Sequence, residues 1–121
     1  MNNPPRSVGE HYETLALEHL TRQGLALVER NFSTKWGEID LIMRQGETWV
    51  FVEVRYRHQA DFGHAAETVT RTKARKIIKT AQIWLARHNL PLHSTDIRFD
   101  VIALHQQGKQ LEWYPNAITE N

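Results

Sequence analysis

The chain contains no cysteine, which excludes disulfide frameworks and thiolate zinc sites and agrees with a reducing compartment. It has no run of about 18 apolar residues, so no segment is expected to span a membrane. Its opening, Met1-Asn2-Asn3-Pro4-Pro5-Arg6, has no apolar stretch behind its one positive charge, unlike a secretory leader. No internal repeat or low-complexity segment is present. The seven histidines do not show the same-helix spacing of a zinc motif. These absences together predict a cytoplasmic protein.

What is present fits one domain. The 121 residues are 40% hydrophobic, enough for a core of two or three layers. Residues 1–8 read as a flexible tail and 9–121 as a single domain. The net charge of +1 hides an asymmetry. From Arg55 to Arg87 there are eight Lys or Arg and only two acids, Asp61 and Glu67. A basic segment in an otherwise acidic chain suits a polyanionic partner.

The patterning predicts a helix from Gly9 to Gln23, stopped by Gly24, then a short strand from Leu25 to Phe32. Gly37–Arg44 (GEIDLIMR) and Thr48–Arg57 (TWVFVEVRYR) read as a hairpin across Gln45-Gly46, since β-branched and aromatic residues favour strands. After a loop over 59–68, Thr70 can cap a helix from Arg71 to His88. There Ala74, Ile77, Ile78, Ala81 and Leu85 recur at helical spacing. Strands follow at Asp96–Leu104 and, after a turn at Gln106-Gln107-Gly108, at Gln110–Tyr114. The order α-β-β-β-α-β-β, with a helix joining the third and fourth strands, predicts a parallel crossover. The expected fold class is α/β, with a five-stranded mixed sheet in an α/β/α arrangement.

Three carboxylates stand where carboxylates are costly. Glu53 interrupts Trp49-Val50-Phe51-Val52, and Asp40 is followed by Leu41-Ile42-Met43. An acid in a central strand is expensive unless paired or bound to a cation. By strict alternation Glu38 and Asp40 share one face of their strand, and Ile39 and Leu41 the other. In the first helix, at 100° per residue, Ala16, Leu17 and Leu20 lie within about 60° of Glu13, so Glu13 belongs to the apolar stripe. Oxygen ligands of this kind suit a hard cation such as Mg²⁺. With Arg55 one pleat beyond Glu53, the set suits metal-assisted phosphodiester hydrolysis. Structural ion pairs with Arg44, Arg55, Arg57 or Arg98 are the plain alternative.

The second helix carries Arg71, Lys73, Arg75, Lys76 and Lys79 in its first half, the end where the helix dipole disfavours cations. Nearby phosphates would offset that cost. With Arg57 they form a candidate nucleic-acid contact, against the alternative of a solvated face. Asp100, between Phe99 and Val101, is expected to hold Arg98 or loop amides more than to support the acids. Trp36 could stack on a base, with packing as its plainer role.

Glu13, Asp40 and Glu53-Val54-Arg55, with 12 residues between Asp40 and Glu53, resemble the pattern of the PD-(D/E)XK, or restriction-endonuclease-like, nucleases. The arrangement is similar to archaeal Holliday-junction resolvases. GEIDLIMRQGETWVFVEVRYR, AAETVTRTKARK and RFDVIAL resemble the YraN family of small endonuclease-like bacterial proteins, from about Gly9 to Trp113. The resemblance implies an endonuclease-like domain with an αβββαβ core. It implies an Mg²⁺- or Mn²⁺-dependent endonuclease acting on DNA, with branched DNA as a candidate substrate and a homodimer as a candidate assembly. Asp40 and Glu53 would be metal ligands, with the Val54 carbonyl a third and Glu13 binding directly or through water. Arg55 would stabilise charge at the phosphate. The pattern wants Lys at Arg55, and arginine cannot act as a general base. The rival reading is therefore a non-catalytic nucleic-acid-binding or adaptor protein that retains the nuclease scaffold.

Overall fold

The computed structural model describes residues 4–56, 70–105 and 108–119. Helix α1 (Pro4–Arg22) leads into strands β1 (Ala26–Thr34), β2 (Gly37–Gln45) and β3 (Thr48–Tyr56). Helix α2 (Arg71–Arg87) is followed by a short 3-10 turn (Leu92–Ser94) and strands β4 (Ile97–His105) and β5 (Gln110–Tyr114). The strands form one five-stranded mixed sheet in the order β1-β2-β3-β4-β5. Every neighbouring pair is antiparallel except β3 and β4, which are parallel. The expected α/β class and parallel crossover are both present.

The two helices cover opposite faces. Tyr12, Ala16 and Leu20 of α1 pack on Leu41, Val52 and Ile102. Ile77, Ile78, Ala81, Trp84 and Leu85 of α2 pack on Ile42, Phe51 and Val101. Adjacent residues such as Phe51 and Val52 fall into different cores, as alternation along a strand requires. Trp84 is fully buried and its Nε1 donates to Glu29 Oε1 at 2.9 Å. Burying such a side chain contributes about 1.5–3 kcal/mol, provided the polar N–H finds a partner.

α1 begins at Pro4 and not at Gly9, so 4–8 is helix rather than tail. Proline is tolerated in a first helical turn, where its missing N–H would have had no partner. Both helices end in the same device. Gly24 (φ +99) donates to Thr21 O at 3.0 Å, and Leu25 N reaches Leu20 O at 3.0 Å. Asn89 (φ +57) donates to Ala86 O at 3.2 Å, and Leu90 N reaches Leu85 O at 2.9 Å. Both are Schellman closures with an apolar contact across the end. Thr70 caps α2 by accepting from Lys73 N at 3.1 Å. Among the described residues no helix is long and apolar enough to cross a membrane.

Candidate active site where β2 and β3 part

The β2–β3 ladder runs from Gln45↔Thr48 to Leu41↔Val52 and goes no further. Asp40 is the next residue. The Val54 N–H, which has lost a backbone partner on β2, donates instead to Asp40 Oδ2 at 2.8 Å. A buried N–H must find an acceptor, and here a side chain takes the place of the ladder. Val54 thus enters the site through its N–H.

Strict alternation fails at this point. Ile39 packs in the α2-side core and Leu41 in the α1-side core, so the expectation that they share a face is wrong. Strand β1 flips at the same level: Phe32 faces α2, while Arg30 pairs with Leu41 and reaches Glu13 of α1. Between them Asn31 adopts φ +56, a left-handed conformation that asparagine tolerates better than most residues. The local kink in paired strands turns both over together. Asp40 therefore sits at the crossover, with one acid on each side of the sheet.

On the α1 side, Glu13 lies 3.7 Å from Arg30 Nη2. With its amide oriented to satisfy both partners, Asn31 donates to Glu13 at 3.0 and 3.2 Å. Burial raises the Glu13 pKa above the usual range, against the hydrogen bonds and Arg30 that lower it. On the α2 side, Glu53 Oε2 accepts an ion pair from Lys73 Nζ at 2.9 Å and a looser one from Arg55 Nη2 at 3.8 Å. Arg55 Nε is buried with no partner among the described residues. Asp40 feels both sides. Burial first, then repulsion from Glu53, pushes its pKa up to about 8, and the Val54 N–H only partly offsets this. Glu13 and Glu38 add smaller repulsions.

Residues 12–104 match the uncharacterised protein family UPF0102. UPF0102 proteins of Vibrio cholerae and Vibrio campbellii are each 56% identical over 115 residues, covering 95% of this chain and 94% of theirs. That of Aliivibrio fischeri is 48% identical over the same length. The chain belongs to this family. A solved structure of Pyrococcus furiosus SfsA in complex with Ca²⁺ is a looser match, at 14% identity and a TM-score of 0.37, covering 92% of this chain and 63% of that one.

In this UPF0102 chain the three expected acids are electrostatic neighbours through Asp40. They do not close into a cage: among the described residues no group of three His, Asp or Glu is arranged to hold a metal ion. A hard cation often needs only one or two carboxylates plus water, and the oxygen-only donor set fits that. Lys73 departs from expectation. Expected among the phosphate-contacting cations of α2, it bonds Glu53 directly, because the first turn of α2 lies over the α2 face to which Glu53 points. Arg71, Arg75, Lys76 and Lys79 are exposed and pair with no carboxylate among the described residues, while Arg57 lies outside those residues. Asp100 is fully buried and holds Arg98, Trp113 Nε1 and Asn116 N, the structural role expected of it. Sequence reading missed Arg30 and Asn31. The one available signal was that asparagine within a strand pattern often marks a kink.

Proposed function

We propose that the chain is a divalent-metal-dependent DNA endonuclease of the PD-(D/E)XK type, with branched or otherwise structured DNA among its candidate substrates. The observation that carries this reading is the placing of Asp40, held by the Val54 N–H where β2 and β3 part and adjoined by both Glu53 and Glu13, so that burial and Glu53 push its pKa up to about 8. Such a carboxyl is unstable as an anion until positive charge arrives. Asp40 and Glu53 would hold Mg²⁺ or Mn²⁺, with Glu13 assisting directly or through water. The bound cation would supply charge for a phosphate oxygen and lower the pKa of an attacking water. The Val54 N–H fixes the Asp40 carboxyl, and Asn31 and Arg30 fix Glu13. Lys73 delivers an ammonium to Glu53, the acid beside which the nuclease pattern expects a lysine. The Arg55 guanidinium, loosely paired with Glu53, would donate to a phosphate oxygen. The exposed cations of α2 would carry the flanking phosphates. The resemblance to the YraN family supports the same assignment.

The test is a nicking and cleavage assay on linear duplex, single-stranded and four-way-junction DNA with Mg²⁺ or Mn²⁺. Asp40→Ala and Glu53→Ala are expected to abolish cleavage. Lys73→Met is expected to lower the rate about 10–100-fold, the usual effect of losing a group that holds a metal ligand in place. Cleavage that persists in Asp40→Ala overturns the site. The second reading, a non-catalytic nucleic-acid-binding or adaptor protein, is favoured by Arg55, which keeps its proton and cannot serve as a base. Binding that is indifferent to Mg²⁺, with no cutting of any substrate, would establish it.

A further inference from the structure

Trp36 stands in the turn between β1 and β2 and is 39% exposed. Lys79 Nζ lies 4.1 Å from the ring centroid and Lys35 Nζ 5.3 Å. Neither ammonium pairs with a carboxylate among the described residues. The turn is fastened to α2. Trp36 N donates to Thr34 Oγ1 at 3.1 Å, and Thr34 Oγ1 lies 3.5 Å from Oγ1 of the fully buried Thr80. Thr80 in turn donates to Lys76 O at 2.7 Å. The indole and the helix cations are thus held in a fixed relation.

Lys73, Lys76 and Lys79 recur every three residues, so they form a slanting row that turns by about 60° at each step and spans about 9 Å along the axis of α2. One end of this row is at Glu53 and the other at Trp36. Trp36 stands just before β2, four residues from Asp40 and so at most about 13 Å away along the chain. We propose that Trp36, with Lys35 and Lys79, is a stacking platform for an unpaired base of a nucleic-acid strand whose phosphates run along this lysine row. The substrate class of the acid site is then nucleic acid with unpaired nucleotides close to the reacting phosphate, rather than uniform duplex. This rests on the nuclease reading only for the word substrate; the binding platform stands by itself.

The chemistry selects this ligand. A strand with unpaired bases offers phosphates for the ammoniums and a π-face for the indole. A continuous duplex offers the phosphates but keeps its base faces stacked inside. An acidic peptide would use the lysines and leave the ring idle. An exposed cation–π contact is weaker than stacking of a base on an aromatic ring, so the ammonium of Lys79 yields the ring face and moves onto a phosphate.

The experiment is a binding titration of the full chain in EDTA, with single-stranded and fully duplex DNA of equal length, for wild type, Trp36→Ala, Trp36→Phe and Lys79→Gln. Trp36→Ala is expected to lower the affinity for the single strand about 5- to 100-fold and to lower the single-strand to duplex affinity ratio with it. Trp36→Phe keeps most of that ratio. Lys79→Gln weakens both ligands and reduces the salt slope by about one phosphate contact. A Trp36→Ala chain that keeps the wild-type ratio overturns the platform, whether its affinities are unchanged or reduced together. If Trp36→Ala fails to fold, Trp36→Phe and Trp36→Leu decide by the same ratio. Because no divalent metal is present, the outcome is separate from the nuclease reading. Selective binding without any cleavage in Mg²⁺ keeps the platform and removes the enzyme. Cleavage that needs Asp40 but shows no preference for unpaired DNA does the reverse.

Discussion

Asp40→Asn is expected to stabilise the protein at pH 8 in EDTA, on the order of a few kcal/mol. The Asp40 carboxyl is pushed up to about 8 in the folded chain, against about 3.9 when unfolded. Between those values the folded state binds the proton and the unfolded state does not. Stability therefore falls as pH rises from about 4 to about 8, and is level above that. Asparagine removes the charge. Its oxygen can still accept from the Val54 N–H, and its amide can donate to a neighbouring acid. Mg²⁺ or Mn²⁺ should restore wild-type stability at pH 8, by about 2.7 kcal/mol when present at 100 times its dissociation constant. The Asn variant should gain much less. Chemical denaturation across pH 5–9, with and without metal, measures all of this. A wild-type stability that stays flat over that range in EDTA, or an equal metal response in the variant, would remove Asp40 from the site.

Asp100→Ala is expected to cost roughly 3–5 kcal/mol, the range for removing one partner of a buried charged network. The carboxylate is fully buried. It accepts from Arg98 Nε at 2.9 Å and Nη2 at 3.0 Å, from Trp113 Nε1 at 2.9 Å and from the Asn116 N–H at 2.8 Å. Alanine would leave Nε and Nη2 of Arg98, an indole N–H and a backbone N–H without their acceptor, Gln45 keeping only the Arg98 Nη1, and each carries a desolvation cost. The network ties β4 to β5 and to the chain beyond it. For a chain of this length the loss corresponds to about 10–20 °C in Tm, read by calorimetry or circular dichroism. A change under about 1 kcal/mol would show that the network is not what holds β5 in place.

The elements were legible because they depend on short-range pattern. The 3.6-residue recurrence of Ile77, Ile78, Ala81 and Leu85, the Thr70 cap and the glycine after α1 each act within a few residues of themselves. The hairpin, the parallel crossover and the central position of Glu53 followed from the order of those elements. The start of α1 was not legible: Pro4-Pro5 fits a tail as well as a first helical turn, which needs no proline N–H. Glu13, Asp40 and Glu53 were picked out because a carboxylate among apolar neighbours is costly, and that cost is visible in sequence.

How those acids are held was a tertiary matter. Asp40 meets Glu13 and Glu53 because β1 and β2 turn over together at Asn31, and a period-two pattern cannot foresee its own interruption. Lys73 reaches Glu53 from 20 residues further along the chain, since the crossover helix lays its first turn over the face to which Glu53 points. Spacing in sequence made it a surface cation. Arg30 and Asn31 came to Glu13 by strand pairing, and Lys79 came to Trp36 by the seating of one turn on one helix. Residue type alone showed where charge would be expensive. Which opposite charge, N–H or ring offsets that expense depends on contacts between distant segments, and these form only when the sheet is built.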